Sequence, residues 1–380
     1  MPLLLIGLVV VNAGVLGWFL SPPSPAMLRI DLDVYRLGAE MWLAGGDLYG
    51  RLPPTLIGNH LPFTYPPVSA VLFTPFTLLS HPAGSFVLTL LSIVVLAFVL
   101  VLVTRSVDLR PTPLLVGALL PAALLLEPVR VTLYFGQINV LLMGLVVADC
   151  LVRKPKWPRG AFVGLAAAVK LTPAAFVLFF LLRGDRRAAL TAVMSFACVT
   201  AAGFVLNWRG SVRYWTTTLF DPDRIGKVSH ESNQSIAGVL ARLGIERGLL
   251  WLVLVCLVVA VGAIAVRRAA SPMVALGLNA FVVLLGSPVS WSHHWVWVGP
   301  FLFAAWRTGA AVVPVAGGVA LFLLSPHWWW EADDGTTVTS FVVGNAYVWC
   351  AMAVLACAAF RSADRQLGRA GVHVDHRAVP

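Results

Sequence analysis

Residues 85–104 read SFVLTLLSIVVLAFVLVLVT. Twenty consecutive uncharged residues, apolar on every face of a helix rising 1.5 Å per residue, reach across a hydrocarbon core of roughly 30 Å. An outer-membrane strand would alternate apolar and polar side chains, and this stretch does not. Comparable runs recur at about 3–20, 112–127, 137–152, 160–183, 187–207, 249–266, 272–286, 294–306, 309–324 and 337–360. The whole chain of 380 residues is 59% hydrophobic and only 12% charged, where a soluble domain carries roughly 25% charge. The pattern is that of an integral membrane protein, and it excludes a disordered chain, a coiled coil and a disulfide-stapled secreted domain. The five cysteines, Cys150, Cys198, Cys256, Cys350 and Cys357, fall in or at the ends of apolar runs without metal-ligand spacing. They read as small core residues.

Two apolar stretches depart from simple spans. The run 161–182 is interrupted by Lys170-Leu171-Thr172-Pro173; proline removes a helix hydrogen bond, and a lysine in hydrocarbon costs a few kcal/mol. Two half-helices meeting near the outer half of the membrane are expected. Residues 68–80 contain Pro75 and follow Pro66-Pro67, so this run of about 13 residues is too short to span, and an interfacial helix is expected there. The first run lacks a basic leader, although Ser24-Pro25-Ala26 imitates a cleavage site, and it reads as a retained helix. Counting the broken run twice gives an all-α polytopic bundle of about twelve membrane helices in one domain, 1–360, followed by a polar cytoplasmic tail, 361–380.

The net charge of +10 does not form a patch with interleaved aromatic residues, so no nucleic-acid partner is implied. With both ends cytoplasmic, sixteen of the 27 bases fall on one side, at Arg105/Arg110, Arg153 to Arg159, Arg183 to Arg187, Arg267/Arg268, Arg307 and the tail. That is the positive-inside pattern. The unusual polar motifs then converge on the other, outer face: RIDLDVY (29–35), LPFTYPP (61–67), GQIN (136–139), the long loop 207–248 with Asn233-Gln234, SWSHHWVW (290–297) and HWWWE (327–331). One shared external site is the simplest reading.

Asp31 and Asp33 precede a segment, 34–44, suited to an amphipathic surface helix. One of them either caps that helix or acts as a general base, a role worth roughly 10² to 10⁴ in rate. A metal-binding role for the Asp-Leu-Asp triplet is a weaker third reading. The adjacent His293 and His294 point in different directions if the segment is helical or extended; each either holds a carboxylate or hydroxyl or closes a helix end. Trp291, Trp295 and Trp297 are belt residues at the interface or sugar-stacking platforms. Lys170 either neutralises a lipid phosphate or pairs with a carboxylate such as Glu127, and Arg130 is either a second phosphate cation or the ion-pair partner of Glu127. Gln137, Asn139, Asn233 and Gln234 are candidates for hydrogen bonds to sugar hydroxyls, with Asp33 and Tyr65 beside them, or else they cap helices. Asn233-Gln234-Ser235 also spells a glycosylation sequon, a frequent chance match. No Walker loop, dinucleotide fingerprint, HExxH or GxSxG motif is present.

The set DLDVYRLGAEMWLAGGDLYG, LPFTYPP, FGQINVLLMGLVVADC, WPRG, VKLTPAAFVLFFLLR, NQSIAGVLAR and SPVSWSHHWVW resembles the polyprenyl-phosphate-mannose-dependent mannosyltransferases of glycosyltransferase family 87 over nearly the whole chain, and most of all their actinobacterial alpha-1,2 members. The resemblance implies the GT-C architecture in the cytoplasmic membrane, a periplasm-facing site, a polyprenyl-phosphate mannose donor, and a phosphatidylinositol mannoside, lipomannan or lipoarabinomannan acceptor. It implies an inverting displacement in which Asp31 deprotonates the acceptor hydroxyl, His294 or His293 supports it, and Lys170 and Arg130 hold the leaving phosphate. It implies neither metal nor cofactor. A transferase of polyprenyl-phosphate arabinose and a lipid-linked sugar flippase are the alternatives; the flippase reading predicts internal repeats, which the sequence lacks.

Overall fold

The computed structural model describes residues 2–20, 29–329 and 337–360. Among these the chain is all-helical, without a strand, and one isolated antiparallel bridge joins Asn233 to Trp291. His81–Ser106, Arg186–Leu206 and Leu249–Arg268 are long and apolar enough to cross a membrane. Two bent pairs qualify jointly: Pro113–Leu125 with Glu127–Phe135, turned by 72°, and Val338–Gly344 with Ala346–Phe360, turned by 59°. The remaining apolar helices run from 10 to 17 residues. Length and composition therefore support three to five spans among the described residues, where the sequence led us to expect about twelve. Bends and short helices account for the gap, since several runs contain a proline or a polar break.

Local chemistry sets the helix ends. Ser80, Thr112, Asp185, Asn207, Ser235 and Ser271 each accept a first-turn amide with the side chain, and Pro82, Pro113 and Pro272 occupy the first helical turn, where no amide is missed. The long helices turn apolar side chains outward: Leu250, Val253, Leu257 and Ile264 of Leu249–Arg268 are all exposed. Such a face would be an aggregation patch in water and is at rest against lipid. The protein is membrane-embedded.

The lysine-bearing run is broken as its sequence requires. An α-helix, Ala161–Val169, stops at extended Lys170, and a tight turn, Thr172–Phe176, leads into Val177–Leu182. The first half-helix is clamped at both its start and its flank. Asp149, fully buried, accepts from Trp157 Nε1 (3.0 Å), the Gly160 amide (3.0 Å) and the Val163 amide (2.9 Å), while Arg159 donates to the carbonyls of Asp149 and Val152 at 2.9 and 2.7 Å. Gly164 lies so close to helix Arg186–Leu206 that a Cβ there would stand 2.3 Å from the Ala192 carbonyl oxygen. Small residues of this kind let two membrane helices pack backbone to backbone.

Residues 68–80 form a helix, Pro67–Phe73, running into a tight turn, Thr74–Leu78; Ser69 and Ala70 are fully buried against the bundle, while Leu72 and Leu78 are exposed. Two expectations change. The stretch 207–248 is no loop, since it contains helices Trp208–Thr216 and Ile236–Arg242. Trp295 and Trp297 serve neither a belt nor a sugar platform, because both are core residues, Trp297 packed 4.6 Å from the Phe176 ring. The Ser24-Pro25-Ala26 signal, the acidic end of HWWWE and the tail 361–380 lie outside the described residues.

Asp149→Ala would leave three donors unanswered in the interior. We expect a loss of roughly 2–4 kcal/mol, read as a lowered melting temperature of the detergent-solubilised protein; an unchanged melt would show that the clamp contributes nothing.

Candidate functional site

Asp31 and Asp33 sit in the first turn of helix Ile30–Leu43, and neither caps it; the cap position is Arg29, in left-handed conformation at φ 42°. Two residues apart on a helix, the two carboxylates point to different faces. Asp33 accepts the Leu56 amide at 2.8 Å and stands 3.6 Å from His81 Nε2. It anchors the loop. Asp31 shares its face with Tyr35, one turn on, and that face looks into the bundle.

The GQIN segment meets it there. Gly136 ends helix Glu127–Phe135 in left-handed conformation (φ 69°), with the Gln137 amide returning to the Thr132 carbonyl at 2.9 Å. A Cβ on Gly136 would also stand 3.1 Å from that of Leu32, so glycine both makes the turn and admits the approach. Gln137 Oε1 accepts from the hydroxyls of Tyr35 (2.8 Å) and Tyr65 (3.1 Å). Those two donors fix the amide, because an oxygen facing hydroxyl donors turns the NH₂ the other way, and Gln137 hydrogen-bonds Asp31. Burial pushes the Asp31 carboxyl up to about 6, against the pull of the Lys170 charge and the Gln137 hydrogen bond.

Lys170 completes the group. Its ammonium donates to Asn139 Oδ1 at 2.9 Å and to His294 Nε2 at 3.2 Å, and lies 5.5 Å from the centre of the Tyr65 ring. Asn139 Nδ2 and Thr132 Oγ1 both donate to the His293 carbonyl at 2.9 Å, which fixes the turn Ser292–His294. In that turn the two imidazoles stand nearly perpendicular, 4.8 Å apart. His294 faces the lysine, and His293 packs edge-on against Phe135 with Nε2 buried and unpartnered. A small crevice of about 40 Å³ has Asn139, Met143, Pro173, Phe176, Leu284, His294 and Trp297 in its lining.

The structure thus brings together Asp31, Tyr65, Gln137, Asn139, Lys170, His293 and His294. It does not bring in the others. Asn233, fully buried, donates to the Val228 and Pro288 carbonyls and accepts from the Ser290 amide and Ser235 hydroxyl; this closes the sequon away from any glycan. Gln234 donates to the carbonyls of Glu231 and Gly344. Both lock the segment that carries the histidines. Trp291 is half-buried, with its ring 5.7 Å from His230. Arg130 makes no ion pair with Glu127 among the described residues, and its charge acts on Tyr347.

Sequence reasoning missed two contributors. Tyr35 was legible from its spacing, four residues after Asp31. Glu127 was not: fully buried, it pairs with neither cation and accepts from Ser292 Oγ (2.6 Å), Trp328 Nε1 (3.0 Å) and Tyr347 Oη (3.1 Å), with His327 Nε2 at 3.5 Å. No local pattern announces partners so distant.

Comparison with known proteins gives a consistent answer. The family described as glycosyltransferase family 87 matches residues 63–288. A polyprenol-phosphate-mannose-dependent alpha-(1-2)-phosphatidylinositol mannoside mannosyltransferase of Mycobacterium tuberculosis is 43% identical, the match covering 92% of this chain and 88% of that protein. A Mycolicibacterium smegmatis protein of the same description is 40% identical over 93% and 88%. A phosphatidylinositol pentamannoside mannosyltransferase from the latter organism is 35% identical over 82% and 79%. No solved structure matches the chain.

With its carboxyl titrating near pH 6, Asp31 is expected to give an infrared carbonyl band that fades as pH rises through about 6 and is absent from Asp31→Asn. Gln137→Leu removes a donor that favours the ionised form, so the transition should move to higher pH. A transition that stays put would remove Gln137 from contact with Asp31.

Proposed function

This chain belongs to glycosyltransferase family 87, and on that premise we propose that it transfers mannose from polyprenyl-phosphate mannose to the 2-hydroxyl of a mannose on a phosphatidylinositol mannoside, at the outer face of the cytoplasmic membrane. The single observation that carries the reading is a carboxylate and an ammonium, Asp31 and Lys170, held in one buried cluster by neutral hydrogen-bonding groups. An acceptor hydroxyl loses a proton in the reaction and a phosphate gains charge; the cluster offers one group for each.

In this reading the acceptor oxygen attacks the anomeric carbon, its proton passes to Asp31, and the bond to the phosphate oxygen breaks with the electron pair leaving on the polyprenyl phosphate. A beta-linked donor gives an alpha-linked product by one inversion. Gln137, held by Tyr35 and Tyr65, keeps Asp31 oriented and ionised; Lys170 stabilises the developing phosphate charge, with Asn139 and His294 positioning its ammonium. His293 holds the turn and His294 faces the chemistry, so of the adjacent pair His294 is the acting residue. Arg130 lies outside this group and is given no step. The names of these relatives specify mannose, which favours that donor over an arabinosyl one.

Purified protein given synthetic polyprenyl-phosphate mannose and a phosphatidylinositol mannoside should form an alpha-1,2 linkage, read by methylation analysis. Asp31→Asn should lower kcat by at least about 10² with folding intact, and the wild-type rate should fall as pH drops through about 6, where the base is protonated. Near wild-type turnover by the variant would refute Asp31 as the base. Lys170→Ala should lower kcat/KM for the donor roughly 10²-fold; unaltered donor dependence would make Lys170 structural.

A further inference from the structure

A second concavity lies beside this cluster. Residues 49–52 and 60–62 face Arg213, on helix Trp208–Thr216, and Arg224 across an open basin of about 400 Å³. Arg51, His60, Arg213 and Arg224 give its wall a cationic character. Asp47 pairs with Arg213 and neutralises it. Among the described residues no carboxylate pairs with Arg51 or Arg224, and Arg224 holds Nε and one terminal nitrogen buried with no acceptor. A desolvated guanidinium without an acceptor is unfavourable, and an anion seated against it removes the penalty. His60 Nδ1 lies 2.9 Å from the Leu52 carbonyl and must donate to it, which leaves Nε2 for a ligand.

The basin is joined to the reaction centre. Tyr49, in its wall, donates to the Tyr65 carbonyl at 2.8 Å, and the Tyr65 hydroxyl is one of the two that fix Gln137. A ligand held here would be linked to Asp31 through Tyr49, Tyr65 and Gln137. We propose that the basin binds the phosphodiester of the anionic lipid acceptor, with Arg224 and Arg51 taking its non-bridging oxygens. Arginine suits the task because its planar fork matches two phosphate oxygens at once. The inference rests on the mannolipid-acceptor reading above. It separates the two phosphates of the reaction: Lys170 serves the one that leaves, and the basin serves the one that stays.

The test compares kcat/KM for a phosphatidylinositol mannoside with that for a neutral mannooligosaccharide ending in the same sugar. In Arg224→Gln the ratio of anionic to neutral acceptor should fall at least about tenfold, the loss of one charged hydrogen bond, and Arg224→Lys should recover part of it. Arg51→Gln, at an exposed position that folding does not depend on, should lower the ratio by about threefold or more. An unchanged ratio in both glutamine variants overturns the proposal. So does an equal fall for both acceptors in Arg51→Gln, and so does a raised donor KM with an unaltered acceptor ratio, which would assign the basin to the donor phosphate. Wild-type protein that transfers mannose to neither acceptor would instead overturn the mannolipid reading and this inference with it.

Discussion

A lysine ammonium inside an apolar bundle has to be answered, and the arrangement of the site follows from how Lys170 is answered. The break before Pro173 frees the chain from helical geometry at the position where the charge sits. Asn139 and His294 then accept its protons, and Asn139 in turn fixes the histidine turn through the His293 carbonyl. Three segments spread over more than a hundred and fifty residues are thereby registered against one nitrogen. An unpaired ion at that depth would cost several kcal/mol, so the register is enforced by electrostatics as much as by packing.

The other half of the cluster rests on a turn. Gly136 ends one helix and brings the backbone against the base of Ile30–Leu43, and the tyrosine hydroxyls select which end of the Gln137 amide meets Asp31. The carboxylate meets the neutral Gln137 amide, with the Lys170 charge near enough to act on it. In the proposed reaction such an arrangement lets the pair serve opposite ends of the bond being exchanged, since a direct ion pair would quench both.

Much of this was legible from the residues. Composition pointed to the membrane class, Pro173 and Lys170 marked the broken helix, and the structure places Asp31, Tyr65, Gln137, Asn139 and both histidines, from RIDLDVY, LPFTYPP, GQIN and SHH, in one cluster with Lys170. What the sequence could not convey was direction. Asp33 differs from Asp31 only by 200° of helical rotation, yet it binds a loop amide. Asn233 and Gln234 look like sugar ligands and are spent on backbone carbonyls, because a buried irregular segment must satisfy its own polar groups first. The count of about twelve spans is not confirmed by the helices themselves, since hydropathy counts apolar residues and does not register the bends at 72° and 59°.

Glu127 has a bearing on how the protein is made. Its acceptor oxygens are met by a serine 165 positions later, a tryptophan 201 later and a tyrosine 220 later. A chain emerging from the ribosome and entering the bilayer in order holds this carboxylate in place long before any of those partners exists. Tyr347, on helix Ala346–Phe360, is the last of these three donors to be made, so the carboxylate has its full set of partners only once that helix has been added. Helix Ala346–Phe360 thereby closes a polar cluster that was begun more than two hundred residues earlier in the chain.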